Sequence, residues 1–273
     1  MTRSEEAAFH ELARKISREA GLSLDAYKDK CLRRRIAVRM RASGAHSYAE
    51  YQAVLDRDPE EYGRLKDTIT INVTRFYRNA ETWNLIRASV LPELCARERG
   101  ELRIWSAGCA SGEEPYTLAM LLAEHFEQLG QPDRLKLVTI DATDIDRRCL
   151  ERAQQARYSR DALVEVPSAL AERYIETVGA ECRVIDRVRE RVTLHAADLC
   201  TDPPPHRNYH LILCRNVVIY FERDTQERVF RTFAESLRPG GFLILGKVES
   251  LVGPARDRLT LLDPRERVYR RAA

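Results

Sequence analysis

The sequence predicts an α/β fold, with a parallel, doubly wound sheet preceded by a small helical segment. Apolar residues recur at helical spacing through about the first 66 positions, with no strand-like alternation. From Leu102 onward, strand, turn and helix patterns alternate, which is typical of a parallel sheet covered on both faces. The chain has 273 residues, of which 44% are hydrophobic, so it can bury a large core without disulfides.

Composition argues against several classes of protein. No apolar run approaches the roughly 20 residues that cross a bilayer, and the charged N-terminus lacks the apolar stretch of a secretory signal. The seven cysteines include no C-x-x-C pair and the six histidines show no ligand spacing. We therefore expect reduced thiols, a cytoplasmic location and no metal. With 45 basic and 42 acidic residues, the net charge of +3 does not predict nucleic-acid binding, and nothing requires more than a monomer.

Residues 1–68 are predicted to form a helical N-terminal domain of three or four helices, with Ser47 as an N-cap. Seven basic residues and one acid, Asp29, lie between Lys28 and Arg41. This basic helix has two interpretations: a solvated face around an apolar stripe, or a surface that docks an acidic partner. The pattern alone leaves both open.

Residues 69–273 are predicted to form the sheet domain, with 69–80 as a linker. Residues 182–194 alternate apolar and polar, so we expect a small inserted β subdomain at about 176–195. The last residues predict a closing hairpin. The predicted strands are 102–105, 136–143, 209–214 and 242–246, and the predicted helices are 113–129, 146–156 and 225–236.

The first chemical motif is W-S-A-G-C-A-S-G-E-E-P-Y, residues 105–116, directly after the first strand. Gly108 and Gly112 permit a tight turn and a close approach of the backbone to a ligand. Glu113 and Glu114 would repel a phosphate, whereas an ammonium or sulfonium group would be attracted. The motif therefore favours a cationic ligand over a nucleotide phosphate.

The second motif, A-T-D-I-D, places Asp144 at the end of the second strand. A carboxylate at this position can accept both hydroxyls of a ribose, as in nucleoside-binding α/β folds. The alternative is an ordinary helix cap, and we expect one of Asp144 and Asp146 to be one.

Two further segments carry polar residues toward the same edge of the sheet. Arg215 and Asn216 follow a fully apolar strand, and Tyr220 fits either the core or the lining of a pocket. In the linker, Thr68 to Arg78, polar residues alternate with apolar ones, which fits either a ligand contact or a capped helix start. The cysteines near the predicted pocket, Cys109 and Cys214, fit small buried thiols.

Together, ITINVTRFYR, RIWSAGCASGEEPYTLAMLL, ATDID and LILCRNVVIYFERDTQERVFRTFAESLRPGGFLILG resemble the chemotaxis receptor methyltransferases of the CheR type. The resemblance spans nearly the whole chain. It implies a seven-stranded, mostly parallel sheet of the S-adenosylmethionine-dependent methyltransferase type, with a small all-α N-terminal domain. It also implies methyl ester formation on receptor glutamates, for sensory adaptation, with S-adenosyl-L-homocysteine as the product.

The resemblance also implies roles for particular residues. For the chemistry itself, our hypothesis is that Arg78 and Tyr220 are catalytic: Arg78 holds the cofactor's carboxylate or orients the substrate's, and Tyr220 borders the methyl group. The basic helix is expected to dock the receptor's acidic methylation helices through Arg33, Arg34, Arg35 and Arg39. The expected cofactor-binding residues are Asn72, Thr74, Arg78, Gly108, Glu113, Asp144, Asp198, Leu199, Asn216 and Val217.

Two segments depart from the family pattern. The family commonly has asparagine where this chain has Asp198, and a G-H-S-E-S-like run where this chain has G-K-V-E-S. Lys247 and Val248 therefore leave the role of that loop in substrate contact open. Two rival functions share the cofactor motifs: methylation of another acceptor, and non-catalytic sensing of the cofactor.

Overall fold

The protein is described by a computed structural model, which covers residues 3–70 and 72–272. Contacts between residues divide the chain into two compact units. The first unit comprises Met1–Asn72 and Tyr220–Thr225, and the second comprises Val73–Ile219 and Gln226–Ala273. Within the described residues, no helix has the length and apolar character that spanning a membrane takes.

The first unit is a bundle of helices, as predicted. Ser47 accepts a hydrogen bond from the Glu50 N–H and so caps the third helix, which confirms the expected N-cap. Apolar residues at helical spacing, such as Phe9, Leu12 and Ile16, are fully buried in the bundle. The helices are α1 (Arg3–Ala20), α2 (Asp29–Ser43), α3 (Tyr48–Arg57) and α4 (Pro59–Ile69).

The second unit is built on a seven-stranded sheet with the order β6-β2-β1-β7-β8-β10-β9. The first five strands in that order are parallel, and the last two form the predicted antiparallel closing hairpin. The chain runs from β1 outward on one side and returns to β7 on the other, so the strand order reverses between β1 and β7. The strands are β1 (Leu102–Ala107), β2 (Val138–Asp144), β6 (Val192–Ala196), β7 (Tyr209–Cys214), β8 (Leu237–Leu245), β9 (Leu259–Asp263) and β10 (Val268–Arg271).

The helices of the second unit include α7, which is buried along almost its whole length and is accordingly apolar on most faces. One π-helical turn, Ile86–Val90, joins α5 to α6. The first turn of α11 lies in the segment that belongs to the first unit. The helices are α5 (Ala80–Leu85), α6 (Leu91–Arg97), α7 (Glu113–Gln128), α8 (Arg147–Gln155), α9 (Ser168–Tyr174), α10 (Asp186–Arg189) and α11 (Arg223–Ser236).

The strands outside the central parallel group agree with the prediction in one respect, and three details elsewhere differ. As expected, a small antiparallel sheet forms from β3 (Arg157–Tyr158), β5 (Glu181–Val184) and β4 (Ile175–Val178). However, residues 192–196, expected in the same insertion, form β6 and pair in parallel with β2. Their apolar–polar alternation is that of an edge strand with one exposed face. The strand β8 begins at Leu237, five residues before the predicted start at 242, and residues 132–137 form a 3-10 helix, so β2 begins at Val138 and not at the predicted 136.

Candidate cofactor and acceptor site

The carboxyl ends of β1, β2 and β7 meet where the strand order reverses, the usual ligand position in an open α/β sheet. The loop after β1 is held there because the N–H groups of Gly108 and Cys109 donate to the Thr143 carbonyl at 2.8 and 2.9 Å. Gly108 has φ +82°, and a Cβ at this position would lie 2.4 Å from Cγ2 of Val217. Glycine is therefore required here for two reasons: the left-handed backbone conformation, and the close approach of Val217 in the loop after β7.

Asp144 ends β2 and is 9% exposed. Its Oδ2 accepts the N–H of Ala110 at 2.8 Å, and its Oδ1 accepts the N–H of Asp146 at 2.9 Å. Burial raises the pKa of Asp144, against the lowering effect of main-chain hydrogen bonds from Asp146, Ala110 and Ile145. Asp146, not Asp144, caps the next helix by accepting the N–H groups of Arg148 and Cys149. A carboxylate offers about four lone-pair sites, so Asp144 can still accept a hydroxyl of a ligand.

Glu113 is the first residue of α7 and is buried. The Ser111 hydroxyl lies 3.0 and 2.9 Å from its two carboxylate oxygens, and the Thr74 hydroxyl also hydrogen-bonds it. Burial raises the pKa of Glu113, while these hydrogen bonds lower it. Within residues 3–70 and 72–272, no cationic side chain forms an ion pair with it. The charge of Arg152 also lowers this pKa, but without forming an ion pair, and a buried carboxylate that lacks an ion-pair partner suits a cationic ligand.

The loop after β7 is held by a glutamate that the sequence analysis did not select. Glu249 is buried and accepts the N–H groups of Asn216 and Val217, both at 2.9 Å, and of Gly246 at 2.6 Å. Asn216 has φ +62°, a left-handed conformation that asparagine tolerates better than most residues. Its Oδ1 is buried without a hydrogen-bond partner in the described part of the chain, so it is available to a ligand donor.

Arg215, to which the sequence analysis assigns no role, ties the linker to the end of β7. Its guanidinium donates to the Arg78 carbonyl at 2.6 Å and to Oδ1 of Asn79 at 3.2 Å. It also pairs with Glu114 at 3.4 Å, and it lies 5.2 Å from the ring centroid of Trp83. Burial lowers the pKa of Arg215 and raises that of Glu114, while each charge favours the ionised form of the other. Such a buried pair fixes the linker relative to the strand.

A cleft of about 570 Å³ lies along this linker and is lined by Thr74, Arg78 and Glu81 among other residues. The Arg78 guanidinium donates to the Val73 carbonyl at 2.8 Å. Among the residues that the structure describes, no carboxylate forms an ion pair with Arg78. The linker is not a helix start, because helix α5 begins only at Ala80.

The remaining expected site residues lie as follows. Asp198 and Leu199 are in the turn after β6, next to Ala197, whose N–H donates to the Asp144 carbonyl at 3.0 Å. This bond brings that turn to the same edge as Asp144. Asn72 and Tyr220 belong to the first unit. There, the Asn72 amide donates to the Thr70 hydroxyl at 3.4 Å, and the Tyr220 carbonyl accepts the Lys28 N–H at 2.9 Å.

Two thiols flank the site. Cys109 follows β1 and Cys214 ends β7, and both are fully enclosed by protein. Burial raises the pKa of each thiol well above its usual value. Both are free cysteines, as the sequence predicted.

The arginines expected to dock a partner divide into two groups within the first unit. Arg39 donates to both oxygens of the buried Glu61, at 2.8 and 2.7 Å, and Arg33 pairs with Glu6 at 3.1 Å and lies over the Phe9 ring. These two arginines stabilise the bundle itself. Arg34 is exposed, and Arg35 is partly exposed with a buried Nε that has no partner among the described residues.

The sheet and its carboxyl edge define a class of protein. The class is that of the S-adenosylmethionine-dependent methyltransferases. Its features here are a mostly parallel seven-stranded sheet, a turn with a glycine after β1, an acid after β2 and a buried glutamate at the start of α7. The family comparison agrees with this class. The model described as "CheR methyltransferase, SAM binding domain" matches residues 72–267, and "CheR methyltransferase, all-alpha domain" matches residues 7–70.

The chain therefore belongs to the CheR methyltransferase family, and it is an S-adenosylmethionine-dependent methyltransferase. It is 32% identical over 255 residues to the chemotaxis protein methyltransferase of Listeria monocytogenes, with 92% of each chain covered. It is 31% identical over 256 residues to that of Escherichia coli, covering 90% of this chain and 85% of the relative. A 104.1 kDa protein of Rhodobacter capsulatus is 33% identical over 245 residues. The matched segment covers 89% of this chain but only 25% of that protein.

Proposed function

We propose that this enzyme methylates glutamate side chains on the cytoplasmic domains of methyl-accepting chemotaxis receptors. The observation that carries the proposal is the pair of buried carboxylates at the sheet edge, Glu113 and Asp144. Glu113 is joined through Thr74 to a cleft that contains an arginine without an ion-pair partner. The carboxylates suit a cationic methyl donor, and the arginine suits an anionic acceptor. The names of the relatives, chemotaxis protein methyltransferases, favour a receptor as that acceptor.

The residues at the sheet edge fit S-adenosylmethionine. When bound, this cofactor supplies a methyl group on a positively charged sulfur and is converted to neutral S-adenosyl-L-homocysteine. Glu113 holds the ammonium of its methionine part and Asp144 the ribose hydroxyls. The orphaned Oδ1 of Asn216 supports contact with a donor of the adenine. Gly108 lets the backbone approach, and the other residues proposed to line the cofactor are Asn72, Thr74, Asp198, Leu199 and Val217.

The acceptor needs no general base. A glutamate side chain has a usual pKa of about 4.3, so it is already ionised at neutral pH. The enzyme's contribution is to orient the acceptor carboxylate and to exclude water. Orientation alone can lower the activation free energy by roughly 7 to 11 kcal/mol. Arg78 is proposed to orient one of the two carboxylates, of the cofactor or of the acceptor, and Tyr220 to border the transferred methyl group.

We also propose that the two domains have separate functions: residues 1–68 dock the receptor, and residues 69–273 carry out methyl transfer. Exposed Arg34 and partly exposed Arg35 support docking of an acidic receptor helix. Arg33 and Arg39 support it less directly, because both are engaged within the bundle. The proposed setting is the cytoplasm, with the enzyme acting as a monomer.

The test is transfer of labelled methyl groups to a receptor cytoplasmic fragment, with the label then released as methanol in mild base. Base-labile label on the receptor, lost in Glu113→Gln and retained in the distant surface variant Lys136→Gln, would support a glutamate methyl ester. Stable label would indicate another acceptor group. Tight binding of S-adenosyl-L-homocysteine with no label on any receptor would move the function to another acceptor or to cofactor sensing.

A further inference from the structure

Tyr158 is a buried tyrosine of the small antiparallel sheet to which the proposed function gives no role. It ends β3, pairs with Cys182 of β5 and is 7% exposed. Its hydroxyl reaches out of that sheet and donates to the Ser111 carbonyl at 2.7 Å. Burial raises the pKa of Tyr158 well above its usual value, so the hydroxyl keeps its proton and acts as a donor at neutral pH.

The Ser111 carbonyl belongs to the turn that places Glu113. Gly112 follows it with φ +95°, and a Cβ at this position would lie 3.0 Å from the Tyr158 hydroxyl, so the turn passes directly beside the tyrosine. The Ser111 hydroxyl lies 3.0 and 2.9 Å from the two Glu113 carboxylate oxygens. Because this carbonyl and this hydroxyl belong to one residue, a bond that holds the carbonyl also sets where the hydroxyl meets Glu113.

The ring of Tyr158 contacts a second segment that reaches Glu113, the linker. It packs edge to face against Phe76, with the ring centroids 4.7 Å apart, and such aromatic pairs stabilise beyond the area they bury. Phe76 is itself buried, and its N–H donates to the Ala162 carbonyl at 3.3 Å. Thr74, two residues before Phe76, supplies the other hydroxyl that hydrogen-bonds Glu113. Tyr158 therefore contacts both segments that carry a hydroxyl donor to this carboxylate.

We propose that Tyr158 is a positioning residue for the cofactor: it holds Ser111 and the linker so that both hydroxyls fix the Glu113 carboxylate for the ammonium of S-adenosylmethionine. A binding group is precise only where packing and hydrogen bonds behind it lock its orientation. The small sheet that carries Tyr158 is thereby part of the cofactor site, and the two are energetically coupled. This inference rests on the proposed role of Glu113.

The experiment compares Tyr158→Phe with Tyr116→Phe by calorimetric titration with S-adenosyl-L-homocysteine. Tyr116 is the matched control, because it is also buried and its hydroxyl donates to the Ala153 carbonyl at 2.7 Å. Each change removes one buried hydroxyl from a main-chain carbonyl and keeps the ring, so both should lower the melting temperature to a similar extent. We expect Tyr158→Phe to raise the Kd about tenfold, and Tyr116→Phe to leave it within about twofold of the wild type.

The pH dependence of this affinity separates positioning from stability. The hydrogen bond from Ser111 lowers the pKa of Glu113, so a displaced Ser111 should raise that pKa. On acidification, the affinity of Tyr158→Phe should therefore begin to fall at a higher pH than that of the wild type, whereas Tyr116→Phe should follow the wild type. The charge of Arg152, which also lowers the Glu113 pKa, is the same in both variants.

Three outcomes would overturn the inference. The first is a wild-type Kd and pH profile in Tyr158→Phe while Glu113→Gln weakens binding, which leaves the proposed role of Glu113 standing. The second is an equal loss of affinity in the two tyrosine variants, because the hydroxyl would then act through stability alone. The third is wild-type affinity in Glu113→Gln, in which case the proposed role of Glu113 fails and the inference fails with it.

Discussion

Gly108 offers a sharp test of how the cofactor turn is built. A Cβ at this position would lie 2.4 Å from Cγ2 and 3.2 Å from Cγ1 of Val217, and 3.4 Å from its Cβ. All three of the nearest atoms thus belong to one side chain. The Gly108→Ala change therefore introduces two separate problems: an overlap with Val217, and a side chain on a backbone with φ +82°.

The two costs have different magnitudes and can be separated. A non-glycine residue in the left-handed region costs about 1–2 kcal/mol. Overpacking at a tight contact costs about 1–3 kcal/mol more. Gly108→Ala should therefore lower the free energy of unfolding of the second unit by about 2–5 kcal/mol. Adding Val217→Ala removes both Cγ atoms and leaves an ordinary contact with Cβ, so the double variant should recover the overpacking cost and keep the conformational one.

Chemical denaturation of the four variants in the cycle measures this coupling, and titration with S-adenosyl-L-homocysteine reports the state of the turn. Gly130→Ala is the matched control, because Gly130 has φ +68° and no atom within 4 Å of an added Cβ. Gly130→Ala should lower the free energy of unfolding by about 1–2 kcal/mol and leave the affinity for S-adenosyl-L-homocysteine unchanged. Strictly additive effects of Gly108→Ala and Val217→Ala, with no recovery in the double variant, would refute the reasoning.

Three other predictions follow from buried or paired charges. Glu113→Gln should weaken S-adenosyl-L-homocysteine binding roughly 10- to 100-fold in calorimetry. Because burial raises the pKa of Glu113, wild-type affinity should fall on acidification at a higher pH than for an exposed glutamate, and the variant should lack this component. Arg215→Met should lower the free energy of unfolding, measured by thermal unfolding, by about 3–5 kcal/mol, because it leaves Glu114 buried without its ion-pair partner. Adding Glu114→Gln should recover most of this loss, and a double variant with no recovery would contradict a stabilising pair. Glu98→Gln should cost about 1 kcal/mol at neutral pH, since Arg238 lowers the Glu98 pKa to about 2. That stabilisation is present above the usual glutamate pKa and is lost as pH falls toward 2, so a cost that does not shrink in acid would contradict the assignment.

The sequence was most informative where elements are buried on all sides. The apolar runs of β1, β2 and β7 predicted strands because both faces of a central parallel strand are covered. The edge strand β6 was placed in an insertion instead, because one face is exposed and its alternation resembles that of a short hairpin strand. Local pattern does not reveal which sheet an alternating strand joins.

The same limit applies to the site. Asp144 at the end of β2 and Glu113 at the start of α7 were predicted because their positions follow directly from the strands and turns. Glu249 was missed because its contact with Asn216 spans 33 residues. The contact between Arg215 and the Arg78 carbonyl spans 137 residues. The loop G-K-V-E-S was the available signal for Glu249, since an acid next to two strand ends can accept several N–H groups there.

The enclosure of Cys109 and Cys214 has a consequence for an enzyme of this class. S-adenosylmethionine is an alkylating agent, and a thiolate is a strong nucleophile that it could modify. Both thiols border the sheet edge proposed for the methyl donor, and burial raises the pKa of each well above its usual value. At neutral pH they therefore remain protonated and poorly nucleophilic. The packing of β1 and β7 would thus protect these two sulfur atoms from a sulfonium bound at the proposed site.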